Sequence, residues 1–346
     1  MSRKMFRLFV SALLVALVIT GAAWAADSPM SVKFAHQSAP DAFASPLHAF
    51  AVGFKNVLEN RSGGKFNVEI FPSGTLGKEV DVMEALRNNA IQVSLASAGG
   101  FQRIFPPVGI LFTPYIFRNA DIAMEVVNGP FGQKLLKEFT NKTGIQAVMV
   151  MGGYTYMAIS NNKRPIKTPA DIKGLKFRVM DPMGGEMFKA FGAGAVPISW
   201  SELYTSLQTG VVDGQTNPPF MVAWAKLYEV QKYMTLANSQ WGYQLLLCNK
   251  QWYDGLSQKE KNMVASAAQA GMYAGNGLSV LLDDKAVTGL KAAGMEVTAL
   301  SDDEIKAFQD IAKPACLDWV RKQIGDAWVD ELNAAIADAE KKLGYE

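Results

Sequence analysis

Apolar residues recur with two different periods in the first part of the chain. Short apolar or alternating runs at 32–36, 66–70 and 91–95 are typical of strands, in which successive side chains point to opposite faces. Between these runs, apolar residues at helical spacing predict helices over about 47–58 and 78–88. This β-α-β-α-β order predicts an α/β layer fold with a largely parallel sheet.

The same rhythm continues through the middle of the chain and then gives way to helices. Apolar runs at 145–151 and 154–160 predict two strands, and the alternation over 175–179 predicts a third. Further on, one or two helices are predicted over 258–292 and a last helix over 327–342. The sequence has no internal repeat and no long linker, so we expect strands that cross between lobes rather than a flexible tether.

The first 25 residues have the pattern of a secretory signal peptide. Three basic residues precede an uninterrupted apolar run over 8–19, and Ala23-Trp24-Ala25 supplies small residues where the signal peptidase cuts. This run is shorter than the roughly 20 residues that a membrane span needs. We therefore expect a soluble protein that is exported to the periplasm and loses residues 1–25.

Charge and size limit the functions that the exported chain can have. Removing Arg3, Lys4 and Arg7 lowers the formal net charge from +2 to −1, because the segment contains no acidic residue. The sequence shows no clustered basic face, so nucleic-acid binding is not expected. The remaining 321 of the 346 residues exceed what one hydrophobic core usually holds, which predicts two lobes. Cys248 and Cys316 could pair after export, but their spacing leaves the disulfide open.

The sequence gives no positive support for catalysis, a metal or a cofactor. It contains neither a G-x-S-x-G elbow nor an H-E-x-x-H helix, and His36 and His48 are its only histidines. Gly192-Ala193-Gly194 begins like a dinucleotide fingerprint, but Pro197 stands where the third glycine belongs. We expect no catalytic residue, no metal ligand and no cofactor, although scattered carboxylates leave a glycosidase-type acid pair open.

Binding has better support than catalysis. Arg178 lies at the end of the strand predicted over 175–179, where open α/β layers gather their ligand sites. Its guanidinium offers a fork of donors that matches a carboxylate. Asn217 lies at a second predicted strand end, and Trp200 precedes a short helix and could wall an apolar pocket. Each of the three could instead have a structural role, in solvent, in the core or in shaping a turn.

Several long motifs resemble one family of transport proteins. The segments "SELYTSLQTGVVDGQTNP" at 201–218 and "LYEVQKYMTL" at 227–236 closely resemble the signature of the extracytoplasmic solute receptors of TRAP (tripartite ATP-independent periplasmic) transporters. "TPADIKGLKFRV", "FPSGTLGKEVDVMEAL" and "ILFTPYIFRNADIAMEVVNGPFG" match the same family upstream. The similarity covers nearly all of the exported chain in the expected order.

The resemblance implies a two-lobed α/β fold like that of periplasmic binding proteins. Each lobe would contain a mixed sheet, and crossing strands and a long helix would join the lobes. The implied division places 26–153 plus 244–283 in lobe I and 154–243 plus 284–346 in lobe II. The lobes would close on a small organic anion and deliver it to the small and large membrane subunits of a permease for uptake driven by an ion gradient. The receptor itself would not be embedded in the membrane.

The resemblance also implies roles for individual residues. Arg178 would pair with the ligand's acid group, Asn217 would contact the same group, and Trp200 would pack on the ligand. Family members usually carry a second arginine at the position that falls near Met157 in this sequence, where there is none. The remaining candidate ligand contacts are predicted near the same strand ends and in the first-lobe loops: His36, Gln37, Ser97, Tyr154, Gln240 and Trp241.

The missing second arginine bears on the ligand class. A dianion would bury a charge without a partner, which costs more than it returns. We therefore expect a small monoanion, such as a hydroxy or keto monocarboxylate or a sulfonate. A receptor for C4-dicarboxylates stays open if the second charge meets another donor. An exported hydrolase of small anionic substrates and a sensory module that presents its ligand to a separate receptor are the alternatives from other classes.

Overall fold

The computed structural model describes residues 29–345. The predicted signal peptide, residues 1–25, lies outside the described residues, and so does the side chain of Tyr154. No helix within 29–345 is both long enough and apolar enough to cross a membrane.

The described residues form eleven strands. In chain order they are β1 (Met30–Ala35), β2 (Phe66–Phe71), β3 (Val93–Ser97), β4 (Ile145–Tyr156), β5 (Ala158–Asn161), β6 (Lys176–Val179), β7 (Gly194–Pro197), β8 (Gly214–Asn217), β9 (Tyr233–Leu236), β10 (Trp241–Asn249) and β11 (Glu296–Ala299).

Eleven α-helices lie between and after the strands of this part of the chain. They are α1 (Pro46–Arg61), α2 (Glu79–Arg87), α3 (Ala120–Asn128), α4 (Pro130–Thr143), α5 (Pro182–Ala190), α6 (Leu203–Gln208), α7 (Pro219–Trp224), α8 (Lys250–Gly255), α9 (Gln258–Ala292), α10 (Asp302–Ile324) and α11 (Asp326–Leu343).

The strands form two mixed sheets, as the resemblance implied. The first sheet has the order β2-β1-β3-β10-β4 and the second the order β11-β9-β5-β8-β6-β7. In the first sheet only β10 runs against its neighbours, and in the second only β5 does. The parallel arrangement predicted for the first three strands is confirmed, because β2, β1 and β3 are parallel neighbours. Strands β10 and β5 are antiparallel because each follows a connection that crosses between the sheets and not a helical crossover.

Two such crossings connect the sheets directly. Strand β4 of the first sheet runs into β5 of the second through Met157, and β9 of the second runs into β10 of the first through residues 237–240. The two crossings are joined by a hydrogen bond of 2.9 Å from the Met157 amide to the Gln240 carbonyl. The two crossings lead directly into β5 and β10, and they therefore determine how the two sheets face each other.

The long helix α9 is a third connection. Ser257 caps it and Glu260 closes a capping box at its first turn, so a polar start precedes a run of 35 residues. At 1.5 Å per residue the helix is about 50 Å long, and it packs on α1 beside the first sheet and on α7 beside the second. The prediction of one or two helices over 258–292 thus resolves into one.

The C-terminal helices return to the first sheet's side. Helix α10, which the apolar pattern did not predict, packs on α5 beside the second sheet, while α11 packs on α3 and α4 beside the first. The predicted lobe boundary between 153 and 154 falls within β4, and the exact boundaries stay a prediction. Cys248 on β10 and Cys316 on α10 are both buried and free, so the structure contains no bond between them.

Candidate ligand-binding site

A cavity of about 160 Å³ lies between the two sheets. Its walls come from the ends of β3, β4 and β10 on one side and of β6 and β8 on the other, together with the segment before α1 and the helix α7. Charged side chains contribute little of the wall, and among the described residues that line it Arg178 is the only cation. The remaining charged members are the carboxyl groups of Glu79 and Asp181.

Arg178 is held at the end of β6 by its own main-chain surroundings. It pairs with Val196 of β7 in parallel register, and its Nε donates to the carbonyl of Ile198, just beyond β7, over 2.8 Å. The residue is only 3% exposed, and its Nη2 has no hydrogen-bond partner within the described chain. One edge of the guanidinium is therefore fixed by the protein, while a buried nitrogen is left for another acceptor.

Two carboxyl groups keep this guanidinium charged. Burial lowers the pKa of Arg178 to about 10, and the negative charges of Asp181 and Glu79 oppose that shift. Burial also raises the pKa of both carboxyl groups above their ordinary values. Neither carboxyl group forms a salt bridge with Arg178, so the guanidinium has no ionic partner within the described chain.

The two carboxyl groups come from opposite sides of the cleft. Asp181 caps α5 by accepting the Gly184 amide over 2.8 Å, and Glu79 begins α2. Between them lies the turn that contains Gly99 and Gly100. A Cβ on Gly99 would lie 3.2 Å from Asp181 Oδ2, and one on Gly100 would lie 2.8 Å from Glu79 Oε2. Glycine at 99 therefore leaves room for Asp181 from the second sheet's side, and glycine at 100 leaves room for Glu79 within the first.

Asn217 is positioned by a buried chain of hydrogen bonds. Its Nδ2 donates to Gln215 Oε1, Gln215 Nε2 donates to Ser160 Oγ over 2.8 Å, and Ser160 Oγ donates to Gln231 Oε1 over 3.0 Å. These residues link β8, β5 and the segment before β9. The Asn217 amide is thereby fixed at the end of β8, where the residue lines the cavity, and its NH₂ group has a second N–H to donate.

Aromatic side chains close the cavity on the side of the second sheet. Trp200 and Trp224 both line it, and their rings lie nearly parallel, 6.1 Å apart at an angle of 9°. Phe220 from α7 and Phe112 from the first lobe add further apolar surface. These side chains give the cavity an aromatic wall beside its one cation.

Met157 and Gln240, which lie on the two crossings, both line the cavity but contribute different groups to it. Met157 lines it, where the resemblance implied that an arginine is usual, and contributes a thioether in place of a charge. Gln240 also lines it, but its Nε2 donates to the Phe112 carbonyl over 2.5 Å. The amide nitrogen of Gln240 is therefore used to fix the crossing to the first lobe.

Two more predicted residues line the cavity, and two do not. Gln37 and Ser97 contribute from the first sheet. His36 lies behind the wall, where its Nε2 is 3.0 Å from Nδ1 of His48. Trp241 packs against Tyr156 with ring centroids 3.9 Å apart and ring planes tilted by 37°. His36 and Trp241 are both buried and do not line this cavity, so their role as ligand contacts stays a prediction.

Asp181, Glu79 and Tyr243 are among the polar residues of the wall that the sequence patterns did not predict as site residues. Asp181 lies two residues after the end of β6 and precedes a proline, a pattern typical of a helix start, and Glu79 begins α2. Tyr243 lies one residue after Gly242 in β10. Helix-start signals could have found the first two, whereas for Tyr243 the strand pattern predicts only burial.

Two mixed sheets on either side of a cavity that combines one cation with apolar walls are the arrangement expected of a solute-binding protein of the periplasmic type. Residues 34–323 match the family described as bacterial extracellular solute-binding protein, family 7. The chain belongs to this family, which confirms the resemblance to TRAP receptors. Members of the family are solute-binding receptors that work with membrane permease subunits.

Individual relatives are similar along nearly their whole length. The 2,3-diketo-L-gulonate-binding periplasmic protein of Escherichia coli is 32% identical, with 85% of this chain and 89% of the relative covered. The C4-dicarboxylate-binding periplasmic protein of Rhodobacter capsulatus is 30% identical, with coverages of 98% and 100%. A crystal structure of a TRAP solute-binding protein from Bordetella, with density interpreted as pantoate, has a TM-score of 0.81 and 31% identity, covering 88% and 98%.

Proposed function

We propose that this protein is the exported receptor of a TRAP transporter for a small organic monoanion, either a hydroxy or keto monocarboxylate or a sulfonate. The observation that carries the proposal is the state of Arg178, the only cation among the described residues of the cavity wall, whose buried Nη2 lacks a partner. An acid group of the ligand supplies the missing acceptor. Asn217 contacts the same group with its free N–H.

The charges around Arg178 favour one negative charge over two. A dianion would place its second charge in a wall that offers Glu79, Asp181 and neutral groups, while Met157 stands where a second cation would be needed. A buried charge without a partner costs several kcal/mol, of which little is recovered. The receptors for a sugar-derived keto acid and for C4-dicarboxylates are similar to this chain to nearly the same degree, so identity alone does not favour either class.

Closure of the two lobes explains how such a ligand is trapped. Arg178, Asn217 and Trp200 hold the acid group and the apolar body from the second sheet, and Gln37, Ser97, Met157 and Gln240 complete the wall from the first sheet and the crossings. The ligand stabilises the closed form because it contacts both sides only there. The closed receptor then delivers it to the small and large permease subunits for uptake driven by an ion gradient.

Isothermal titration calorimetry with pantoate, 2,3-diketo-L-gulonate and succinate tests the proposal. We expect a monoanion to bind more tightly than succinate. Arg178→Ala should weaken that binding by about 100-fold or more, because it leaves the acid group buried without its partner. Lys176→Ala is the matched control, since Lys176 is an exposed cation two residues earlier on the same strand.

Two outcomes would contradict the proposal. If Arg178→Ala bound the best acid as tightly as the wild type, the acid group would be held elsewhere. If succinate bound most tightly, the ligand class would be the dicarboxylate alternative. Chemical conversion of a bound acid during long incubation, followed by mass spectrometry, would instead support the hydrolase.

A further inference from the structure

Buried polar atoms without partners single out one more residue of the cavity. Within the described chain, seven buried side-chain nitrogen or oxygen atoms have no hydrogen-bond partner. Only two of the seven belong to residues that line the cavity, namely Arg178 Nη2 and Tyr243 Oη. Leaving a buried donor unpaired is costly, so atoms of this kind in a cavity wall indicate what the missing partner must supply.

The ring of Tyr243 is fixed although its hydroxyl is not. Tyr243 is 1% exposed and lies on β10 opposite Gly152 of β4. A Cβ on Gly152 would lie 3.4 Å from Tyr243 Cε1, so the absence of a side chain there leaves room for the ring. Phe112 packs against it edge to face with centroids 5.6 Å apart. These contacts hold the phenol at the cavity, where the described protein offers its oxygen no partner.

Tyr243 differs chemically from Arg178. Complete burial raises the pKa of Tyr243 well above its usual value of 10, so the phenol stays neutral at any working pH. A neutral hydroxyl pairs well with an uncharged oxygen. It is a poor counter-ion for a second carboxylate in this wall, which already contains the carboxyl groups of Glu79 and Asp181.

We propose that Tyr243 Oη is a second polar anchor, which hydrogen-bonds an uncharged hydroxyl or carbonyl oxygen of the ligand. This inference rests on the proposed function, in which Arg178 holds the acid group. It narrows the ligand class to monoanions that carry a further neutral oxygen, and it makes Tyr243 a residue that determines specificity.

The placement of the two anchors links specificity to closure. Arg178 belongs to the second sheet and Tyr243 to the first. A ligand with both groups bridges the sheets, whereas an unsubstituted alkanoate satisfies only Arg178. The neutral oxygen therefore adds to the affinity for arrangements in which one ligand contacts both sheets at once.

The test compares hydroxy acids with their deoxy analogues in two tyrosine variants. The probes are pantoate with 3,3-dimethylbutyrate, D-erythronate with butyrate, and lactate with propionate. We expect the wild type to prefer at least one hydroxy acid over its analogue, and Tyr243→Phe to reduce that preference by about tenfold, the size of one hydrogen bond. Tyr115→Phe is the matched control, because Tyr115 Oη already donates to the Ala237 carbonyl over 3.2 Å.

Thermal unfolding of the ligand-free variants gives a second readout. Tyr243→Phe should be at least as stable as the wild type, since the lost hydroxyl has no protein partner, whereas Tyr115→Phe should be less stable. A marked loss of stability in Tyr243→Phe would overturn the inference, as would an unchanged preference for the hydroxy acid. The absence of binding by every hydroxy acid would overturn it too. If Arg178→Ala left binding unchanged, the proposed function would fail irrespective of the Tyr243 result.

Discussion

Arg178 and His36 are both buried basic residues at the end of a strand, but they differ in how completely the protein pairs their nitrogen atoms. His36 is 1% exposed and Arg178 is 3% exposed. The Nδ1 of His36 accepts the Ser38 amide over 3.2 Å, and its Nε2 lies 3.0 Å from His48 Nδ1, so its ring is fully paired within the protein. Arg178 is paired along one edge only.

Their charges differ for the same reason. Burial, followed by the charge of His48, lowers the pKa of His36 to about 3, so it is neutral at neutral pH. Arg178 stays charged because its pKa is still about 10 with two carboxyl groups nearby. A buried group that is paired and neutral contributes to the fold, whereas one that is charged and incompletely paired is prepared for a ligand. Charge and hydrogen-bond pairing therefore distinguish a structural residue from a binding residue here, whereas the exposed fraction of the side chain does not.

After Arg178→Ala, the largest expected effect is the pH dependence of stability that His36 causes. The unfolded chain binds a proton at His36 with the ordinary pKa of 6.5, but the folded chain does so only near pH 3. The unfolded state therefore gains this proton first as the pH falls, and the contribution of His36 to the free energy of unfolding should decrease by about 1.4 kcal/mol per pH unit below 6.5. Urea denaturation at pH 7.5, 6.0 and 5.0 measures this slope.

His36→Asn should remove most of that slope. Asp283 acts with the opposite sign, because burial raises its pKa to about 6 and its contribution to stability is lost as the pH rises through that range. The difference between the wild type and His36→Asn is thus the informative quantity, since Asp283 is present in both. Equal slopes in the two proteins would show that His36 is not neutral in the folded state.

The next largest effect is expected when a second cation is added to the cavity wall that contains Arg178. Met157→Arg introduces a second guanidinium into the cavity wall, so the second charge of a dianion gains a partner. We expect the affinity for succinate relative to that for pantoate to rise by about tenfold. Calorimetry with both acids measures the ratio, and Met157→Gln is the control that adds polarity without charge. A ratio that stayed constant would mean that charge at this position does not select the ligand.

A smaller effect is expected for Asn217, whose amide is already hydrogen-bonded to Gln215. Asn217→Ala removes one hydrogen bond to the acid group but leaves Arg178 in place. The affinity for the best monoanion should fall by about fivefold to tenfold, roughly the value of a single hydrogen bond. Thr209→Ala is the control, because Thr209 is exposed and lies outside the cavity wall. Both variants need a thermal unfolding scan because Asn217 also bonds Gln215.

The smallest effect concerns a pair that is exposed. Lys78 Nζ of the first lobe lies 3.1 Å from Glu202 Oε1 of the second, and both side chains are more than half exposed. Since solvent screens such pairs, Lys78→Ala should weaken ligand binding by no more than about twofold at physiological salt. A larger loss that disappeared in the charge-swapped double variant Lys78→Glu with Glu202→Lys would make this pair a latch of the closed form.

Much of the local structure follows from the sequence alone. Period-two runs predicted β1, β2, β3 and β6, and helical spacing predicted α1, α2, α9 and α11 within a few residues of their observed bounds. These elements depend on neighbours two to four positions apart, which a linear pattern records directly. The positions of Arg178 and Asn217 at strand ends belong to the same class of prediction, and the family motifs add to it.

The composition of the cavity wall depends on contacts between distant segments, and only the tertiary structure shows it. Arg178 of the second sheet and Tyr243 of the first line one cavity because two connections cross between the sheets, whereas His36 and Trp241 do not line it. Asp181 lies beside Gly99 and Glu79 beside Gly100, although both residues are far from these glycines in the sequence. A sequence pattern shows which side chains are polar, but whether a buried polar atom is paired depends on what the folded chain places beside it.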